Sequence, residues 1–277
     1  MTRVVCIGLA TRDTILAVPR RPEADGLIVA TDVAVAGGGP AATAAATLAR
    51  LGVPASFVGA VGDDEVGTFV RESLEAEGVD VSELAVVPGG RSPQSAVLVE
   101  PGGVRTIAAF RGELPALALS QRARELCRKA EWVHVDQTGY RAAPPGVRLS
   151  IDGGNPIDGL DLTRVALYAP TESALREAFG DAEGALAAGA ELVVVTRGGG
   201  GSAAYTHDGE TVEAPAHPIE PVSTLGAGDV FHGALLAALL RDAPLGEALA
   251  FANACAALSC RALDGRSAIP TLEEVPR

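Results

Sequence analysis

The residues Ser223-Thr224-Leu225-Gly226-Ala227-Gly228-Asp229-Val230-Phe231 have the types and spacing of a phosphoryl-transfer site. Past Asp229, the apolar residues Val230, Phe231, Ala234, Leu235, Ala238 and Leu239 recur at helical spacing, which predicts a helix with the glycines in its first turn. First-turn N–H groups have no partner inside a helix, and with the positive end of the macrodipole they form a site for an anion. Asp229 at the mouth of that site has the chemistry of a base, taking the proton of an alcohol that attacks a held phosphoryl group. The helix N-terminus favours its ionised form, but a loose transition state asks mainly for positioning and charge neutralisation, so a modest base suffices. The same residue types also cap helices and make tight turns, and this stretch alone leaves both readings open.

The elements around it read as an α/β chain. Apolar, β-rich runs at 4–7, 56–61, 132–135, 149–152, 165–169 and 191–196 alternate with helical patterns at 41–50, 65–77, 120–129, 171–179 and 181–188. Such alternation implies a parallel sheet covered by helices on both faces. Strand candidates at 14–18 and 28–35, with a hairpin at 95–100 and 104–110, form a small separate sheet. Gly37-Gly38-Gly39-Pro40 breaks the chain before the first helix, but lacks the GxGxxG order of a dinucleotide loop. Thr196-Arg197-Gly198-Gly199 follows a strand, at the sheet edge where α/β folds place ligands; it reads equally as a plain turn. Residues 245–260 form a helix rich in small side chains, suited to close packing or to a flat ligand such as adenine.

Composition narrows the class. With 277 residues, 48% of them hydrophobic, the chain can bury its core as one domain. A formal charge of -13 argues against nucleic acid or an anionic membrane as partner. No signal-peptide pattern or bilayer-length apolar run is present, so the expected location is cytoplasmic. Cys6, Cys127, Cys255 and Cys260 lack metal-ligand or CxxC spacing and read as buried thiols.

Four ordered pieces resemble the ribokinase-like (PfkB) family of sugar and nucleoside kinases: 8–13 after the first strand; GGGPAATAAATLARLG with VGAVGDDEVG; the hairpin with Gly103 and Arg105; and TLGAGDVFHGALL. Within the family the pattern is similar to ketohexokinases and sulfofructose kinases. The resemblance covers nearly the whole chain. It implies a single kinase domain over 1–277, a Rossmann-like three-layer α/β/α body, and a small β-sheet lid from strands at about 12–36 and 93–112. It further implies dimerisation through that lid, a cofactor pair of ATP and Mg2+, and a small sugar as substrate.

Carried over by position, Asp229 is the base, and the N–H groups of Gly226, Ala227 and Gly228 hold the transferred phosphoryl. Asp13, Gly38, Gly39 and Thr43 line the sugar pocket. Thr196 and Gly198 border the nucleotide phosphates, and Asn253 and Ala257 lie near adenine, Asn253 equally suiting a structural amide. Two departures stand out. Pro40 and Thr43 occupy a sugar loop where many members carry Asn, and Arg111 after the lid strand offers a cation for an anionic sugar. The family's metal-linked Asn-x-x-Glu falls on Thr171-Glu172-Ser173-Ala174, leaving Glu172 as the carboxylate toward Mg2+ or as a favourable first-turn charge. The reaction so implied is phosphorylation of a primary hydroxyl of a ketose or modified ketose. The alternatives are a nucleoside kinase and a non-catalytic sugar or nucleotide sensor.

Overall fold

The computed structural model describes residues 2–276. At the centre of a nine-stranded sheet lies β1 (Val4–Ile7), parallel to β4 (Ala55–Gly62) on one side and β8 (Trp132–Val135) on the other. β5 (Asp80–Val87) lies outside β4. Beyond β8 run β9 (Leu149–Asp152), β10 (Leu167–Ala169) and β11 (Leu192–Thr196), all parallel. The antiparallel strands β12 (Ser202–Thr206) and β13 (Thr211–Ala214) finish that edge.

Strand periodicity divides the core in two. Val4 and Cys6 of β1 face one apolar cluster while Val5 and Ile7 face the other, which is why β1 is continuously apolar. The first cluster takes in α1 (Pro40–Arg50), α2 (Glu65–Ala76), α6 (Ala227–Leu239) and α7 (Leu245–Ser259). The second takes in α3 (Gln121–Lys129), α4 (Glu172–Phe179) and α5 (Ala182–Ala187). All four cysteines are free and buried, and no helix among the described residues is long and apolar enough to cross a membrane.

A second, four-stranded sheet has the order β3 (Asp32–Gly38), β2 (Thr11–Ala17), β6 (Gln94–Val99), β7 (Arg105–Phe110). The chain passes from β1 into β2 across three residues and from β3 into α1 across Gly39, so both sheets converge on the start of α1. Gly39 has φ 91, which a side chain resists, and a Cβ there would meet the Leu9 carbonyl oxygen at 2.3 Å. α1 in turn lies close against α6, where a Cβ on Gly233 would sit 2.6 Å from the Ala44 carbonyl oxygen. The start of α1 and the start of α6 are thereby held beside each other.

The structure corrects several boundaries. Residues 28–31 are in no strand, and β3 begins at Asp32. Gly37 and Gly38 belong to the end of β3, leaving Gly39 alone as the break. β5, β12 and β13 are additional to the strands expected.

Candidate active site

The site is assembled around Asp136, at the end of β8. Its carboxylate accepts four backbone N–H groups, from Leu9 (2.7 Å), Ala41 (3.3 Å), Thr138 (2.8 Å) and Gly139 (3.0 Å). One side chain thus pins the β1–β2 crossing to the first turn of α1. Burial pushes Asp136 up to about 6, while the four donors pull it down. Gly8 must lack a side chain here, since a Cβ would lie 2.3 Å from that carboxylate.

Above this junction is a cavity of about 370 Å³. Asp13, Gly38, Gly39, Thr43 and Arg111 line it together with Gly226, Gly228 and Asp229. Asp13 is buried and oriented by the Thr11 hydroxyl (2.8 Å) and the Ser95 hydroxyl (2.7 Å), both donating to its Oδ1. Gly38 is required to be bare, because a Cβ would lie 2.0 Å from Asp13 Oδ2. The Thr43 hydroxyl accepts from Arg266 Nε (3.2 Å), so its own proton is left for another acceptor. Arg111 makes no side-chain hydrogen bond or ion pair among the described residues.

Asp229 is half-buried and lines this cavity from the first turn of α6. Burial, and next the negative charge of Asp152, push its carboxyl up to about 7; His232 and Arg105 pull the other way. His232, one turn along α6, pairs with Asp152 at 3.3 Å from Nδ1 to Oδ2. Against the cost of burial, each holds the other's charge: Asp152 stays below the usual carboxylate range and His232 above the usual imidazole value. His134, behind His232 with ring centroids 5.7 Å apart, is driven down to about 3 by burial and then by His232, so it is neutral.

Gly226, the residue that opens α6, lies in the left-handed region with φ 74, a conformation that glycine adopts without strain. A Cβ on Gly228 would meet nothing within 4 Å. The Ala227 N–H leans toward the Thr224 carbonyl at 3.4 Å, while the Gly226 and Gly228 N–H groups have no partner among the described residues. Arg105, at the start of β7, reaches the same place and donates to Thr224 Oγ1 at 2.7 Å.

A second cavity of about 930 Å³ shares Arg105, Thr171, Thr196 and Gly228 with the first. It runs over Glu172, Gly198, Gly199, Ala227, Asn253 and Ala257. Added Cβ atoms on Gly198 and Gly199 would meet nothing, so that wall is open. Asn253 is tied up otherwise: its Nδ2 donates to the Ala214 and Pro215 carbonyls at 3.1 and 3.0 Å, and its amide N–H groups are spent on the strand edge. Glu172 is half-exposed in the first turn of α4, 3.8 Å from Arg197 and 3.9 Å from Arg176.

Two cavities meeting at a helix N-terminus and one carboxylate are the geometry of transfer between a bound anion and a bound alcohol. The model of the "pfkB family carbohydrate kinase" matches residues 1–151 and 162–272. The chain belongs to the pfkB family of carbohydrate kinases. It is 31% identical to the ATP-dependent ribose-1-phosphate kinase of Halopiger xanaduensis, over 99% of this chain and 97% of that one. It is 28% identical to the ribokinase of Bacillus subtilis, over 99% and 98%. Among solved structures, Arabidopsis thaliana ribokinase complexed with ribose and ATP superposes with a TM-score of 0.82 at 25% identity, covering 99% of this chain and 98% of that chain. The pfkB chain described here is an ATP-dependent sugar kinase with the ribokinase-like α/β fold.

Each residue singled out from the sequence lines one of the family member's two cavities, and Thr196 and Gly228 line both. Five others were given no role from the sequence: Arg105, Asp136, Asp152, His232 and Arg266. His232 left one signal, a polar ring three residues after Asp229 on an otherwise apolar helix, hence on the same face. Asp136 directly follows β8 and Asp152 is the last residue of β9, both at C-terminal strand ends, where α/β folds collect ligand-facing groups.

Proposed function

We propose that this kinase transfers the γ-phosphoryl of ATP to a primary hydroxyl of a small sugar, a ketose or modified ketose, and that Asp229 is the base. The observation that carries the reading is the junction of the two cavities at Gly228, with Asp229 on the side of the smaller one. In the reaction, the Asp229 carboxylate takes the hydroxyl proton as the alcohol oxygen bonds to phosphorus and the bond to the ADP oxygen breaks. Gly226 and Gly228 N–H groups face the oxygens of the moving group, and Asp13 holds other hydroxyls of the sugar. Excluding water from this cavity, as the small sheet would do on closing, suits transfer to an alcohol.

Mg2+ fits the nucleotide side. That cation keeps several waters and takes one or two carboxylates beside the phosphates, so half-exposed Glu172 on the wall of the larger cavity is the group that would hold it. When bound it would neutralise phosphate charge.

For the acceptor, Arg111 favours one subclass, a sugar that already carries a phosphate or similar anion. It lines the smaller cavity without a carboxylate partner among the described residues. Arg111→Ala is then expected to raise the KM of such an acceptor about tenfold or more with kcat within about threefold, as loss of one charge-assisted contact. Unchanged KM for the best phosphosugar would remove this assignment.

The small sheet also carries a face for a second copy. In register, Thr14, Leu16, Val33, Val35, Ala96, Leu98 and Ala108 point away from the Asp13 side, with Val33 and Val35 at 60% and 54% exposure. A homodimer through this sheet buries that face, and a monomer by sedimentation at micromolar concentration would exclude it. The net charge of -13 supports a reading in which the enzyme works in the cytoplasm and engages neither nucleic acid nor an anionic membrane.

The deciding experiment is ADP release with Mg2+ and ATP over ketoses, aldoses, phosphosugars, sulfosugars and nucleosides. Turnover of one sugar supports the proposal. Turnover of nucleosides alone would make it a nucleoside kinase, and ligand-induced rise in Tm without turnover would make it a sensor.

A further inference from the structure

Arg266 is a buried cation that the reaction just described does not use. It is 4% exposed, comes from the C-terminal segment, and has no carboxylate within ion-pair distance among the described residues. Burial lowers its pKa to about 10, opposed by the charges of Asp13, Glu77, Asp229 and Asp264. A guanidinium without a contacting carboxylate is a costly way to fill a core, and an apolar side chain of similar size would stabilise the fold at least as well. Its placement therefore has to be explained by what it holds.

It holds the acceptor side of the site. Nη2 donates to the Gly38 carbonyl at 2.7 Å, Nε to Thr43 Oγ1 at 3.2 Å, and Nη1 reaches Ser73 Oγ at 3.4 Å. Gly37 is bare to admit it, since a Cβ there would fall 2.3 Å from Nη1. Arg266 is itself set by Asp264, whose Oδ1 accepts the N–H groups of Arg266 and Ser267 at 2.8 Å each. Gly38 closes β3 opposite Thr11 and touches the Asp13 carboxylate. The planar fork thus fixes two cavity-lining elements together, the Gly38 peptide and the Thr43 hydroxyl, as a point charge on a flexible stem could not.

We propose that Arg266 is the positioning residue of the acceptor pocket: it locks the 37–39 backbone beneath Asp13 and orients the Thr43 hydroxyl to donate its proton to a substrate oxygen. That the pocket holds the acceptor sugar rests on the reading above; that Arg266 locks the loop does not.

The test has two arms. In the unliganded protein, Arg266→Gln is expected to speed amide hydrogen exchange of a 36–43 peptide about tenfold or more, while Ser73→Ala, which removes only the longest contact, leaves it within about twofold. In the kinase assay with D-fructose and with ribose 1-phosphate, Arg266→Gln and Arg266→Lys are expected to raise the sugar KM about tenfold or more with the ATP KM within about twofold. Thr43→Val combined with Arg266→Gln should fall short of the product of the two single effects, because the hydrogen bond from Arg266 Nε to Thr43 is lost in both. Unchanged exchange in Arg266→Gln with wild-type Tm overturns the proposal, as does an equal rise in both KM values. If Arg266→Gln does not fold, Thr43→Val and Arg266→Lys decide: additive KM effects overturn it. If exchange rises but neither sugar is turned over by the wild type, the loop assignment stands and the sugar reading falls alone.

Discussion

Replacing Asp229 by Asn is expected to lower kcat by about 10²- to 10⁴-fold and at the same time to make the free protein more stable at neutral pH. The first effect is the loss of a proton acceptor beside the alcohol, in the range measured for general bases. The second follows from the same burial that tunes the group. Asp229 titrates at about 7 in the folded chain, driven up by burial and by Asp152, against about 3.9 unfolded. Below about 4 both states carry the proton. Between about 4 and 7 the folded state keeps a proton that the unfolded state has released, so stability falls as pH rises through that window. Above 7 the full penalty stands. Asparagine removes it, so the variant should gain about 1–3 kcal/mol at pH 8, seen as a Tm higher by about 2 °C or more, with the difference vanishing near pH 4. The wild-type kcat/KM should fall on the acid side with an apparent pKa no higher than about 7. Melting curves of both proteins from pH 4 to 8, with initial rates, check all of this. A variant that keeps kcat within threefold would remove Asp229 as the base.

This double outcome separates the two readings the sequence left open. A helix cap contributes stability, so its removal costs about 0.5–2 kcal/mol. In the structure Asp229 does not cap α6; Gly226 occupies that position with no side-chain hydrogen bond. A carboxylate in the first turn without a capping bond, raised in pKa and facing a cavity, fits the proposed base better than a cap.

The strands that fix the site were the ones most plainly written in the chain. β1 is continuously apolar, and β8 and β9 are buried along their whole length, because both faces of the sheet are covered; the ends of all three fall where the sequence placed them. β5 went unread because Asp80 and Glu83 interrupt it at the sheet edge, and β12 and β13 because Ser202, Ala203 and Ala204 carry little β signal after four glycines. Residues 28–30 had the composition of a strand but run past the end of β2, and only the Thr31 N–H still reaches the Ala17 carbonyl, at 2.8 Å. The chemistry divides the same way. Asp229 and its glycines are contiguous and bear their own pattern, whereas Asp152 meets His232, and Arg266 meets Gly38, only after the sheet and helices have packed. No spacing announces such pairs; in Arg266 the distance along the chain to Gly38 is 228 residues.

Arg105 is where the small sheet enters the chemistry. Its guanidinium lines both cavities, and its Nη1 donates to Thr224 Oγ1, which in turn donates to the Gly103 carbonyl at 2.9 Å. The hairpin is thereby tied to the loop that leads into α6. The cation stands at the junction of the two cavities, where the proposed transfer takes place, and its charge is among the influences that lower Asp229. Arg105→Gln is therefore expected to reduce kcat about 10²- to 10³-fold, the scale of losing one preorganised donor to developing charge. It should also move the acid limb of the pH–rate profile upward, because Asp229 loses a neighbouring cation. Arg105→Lys keeps the charge but not the fork, so the limb should stay in place while only part of kcat returns. That split distinguishes charge at the transfer point from a mere tether: a tether broken by Gln would raise the KM of both substrates and leave the pH limb where it was. Should kcat survive within threefold in Arg105→Gln, transfer would depend on α6 and Asp229 alone, and the small sheet would serve only to cover the sugar.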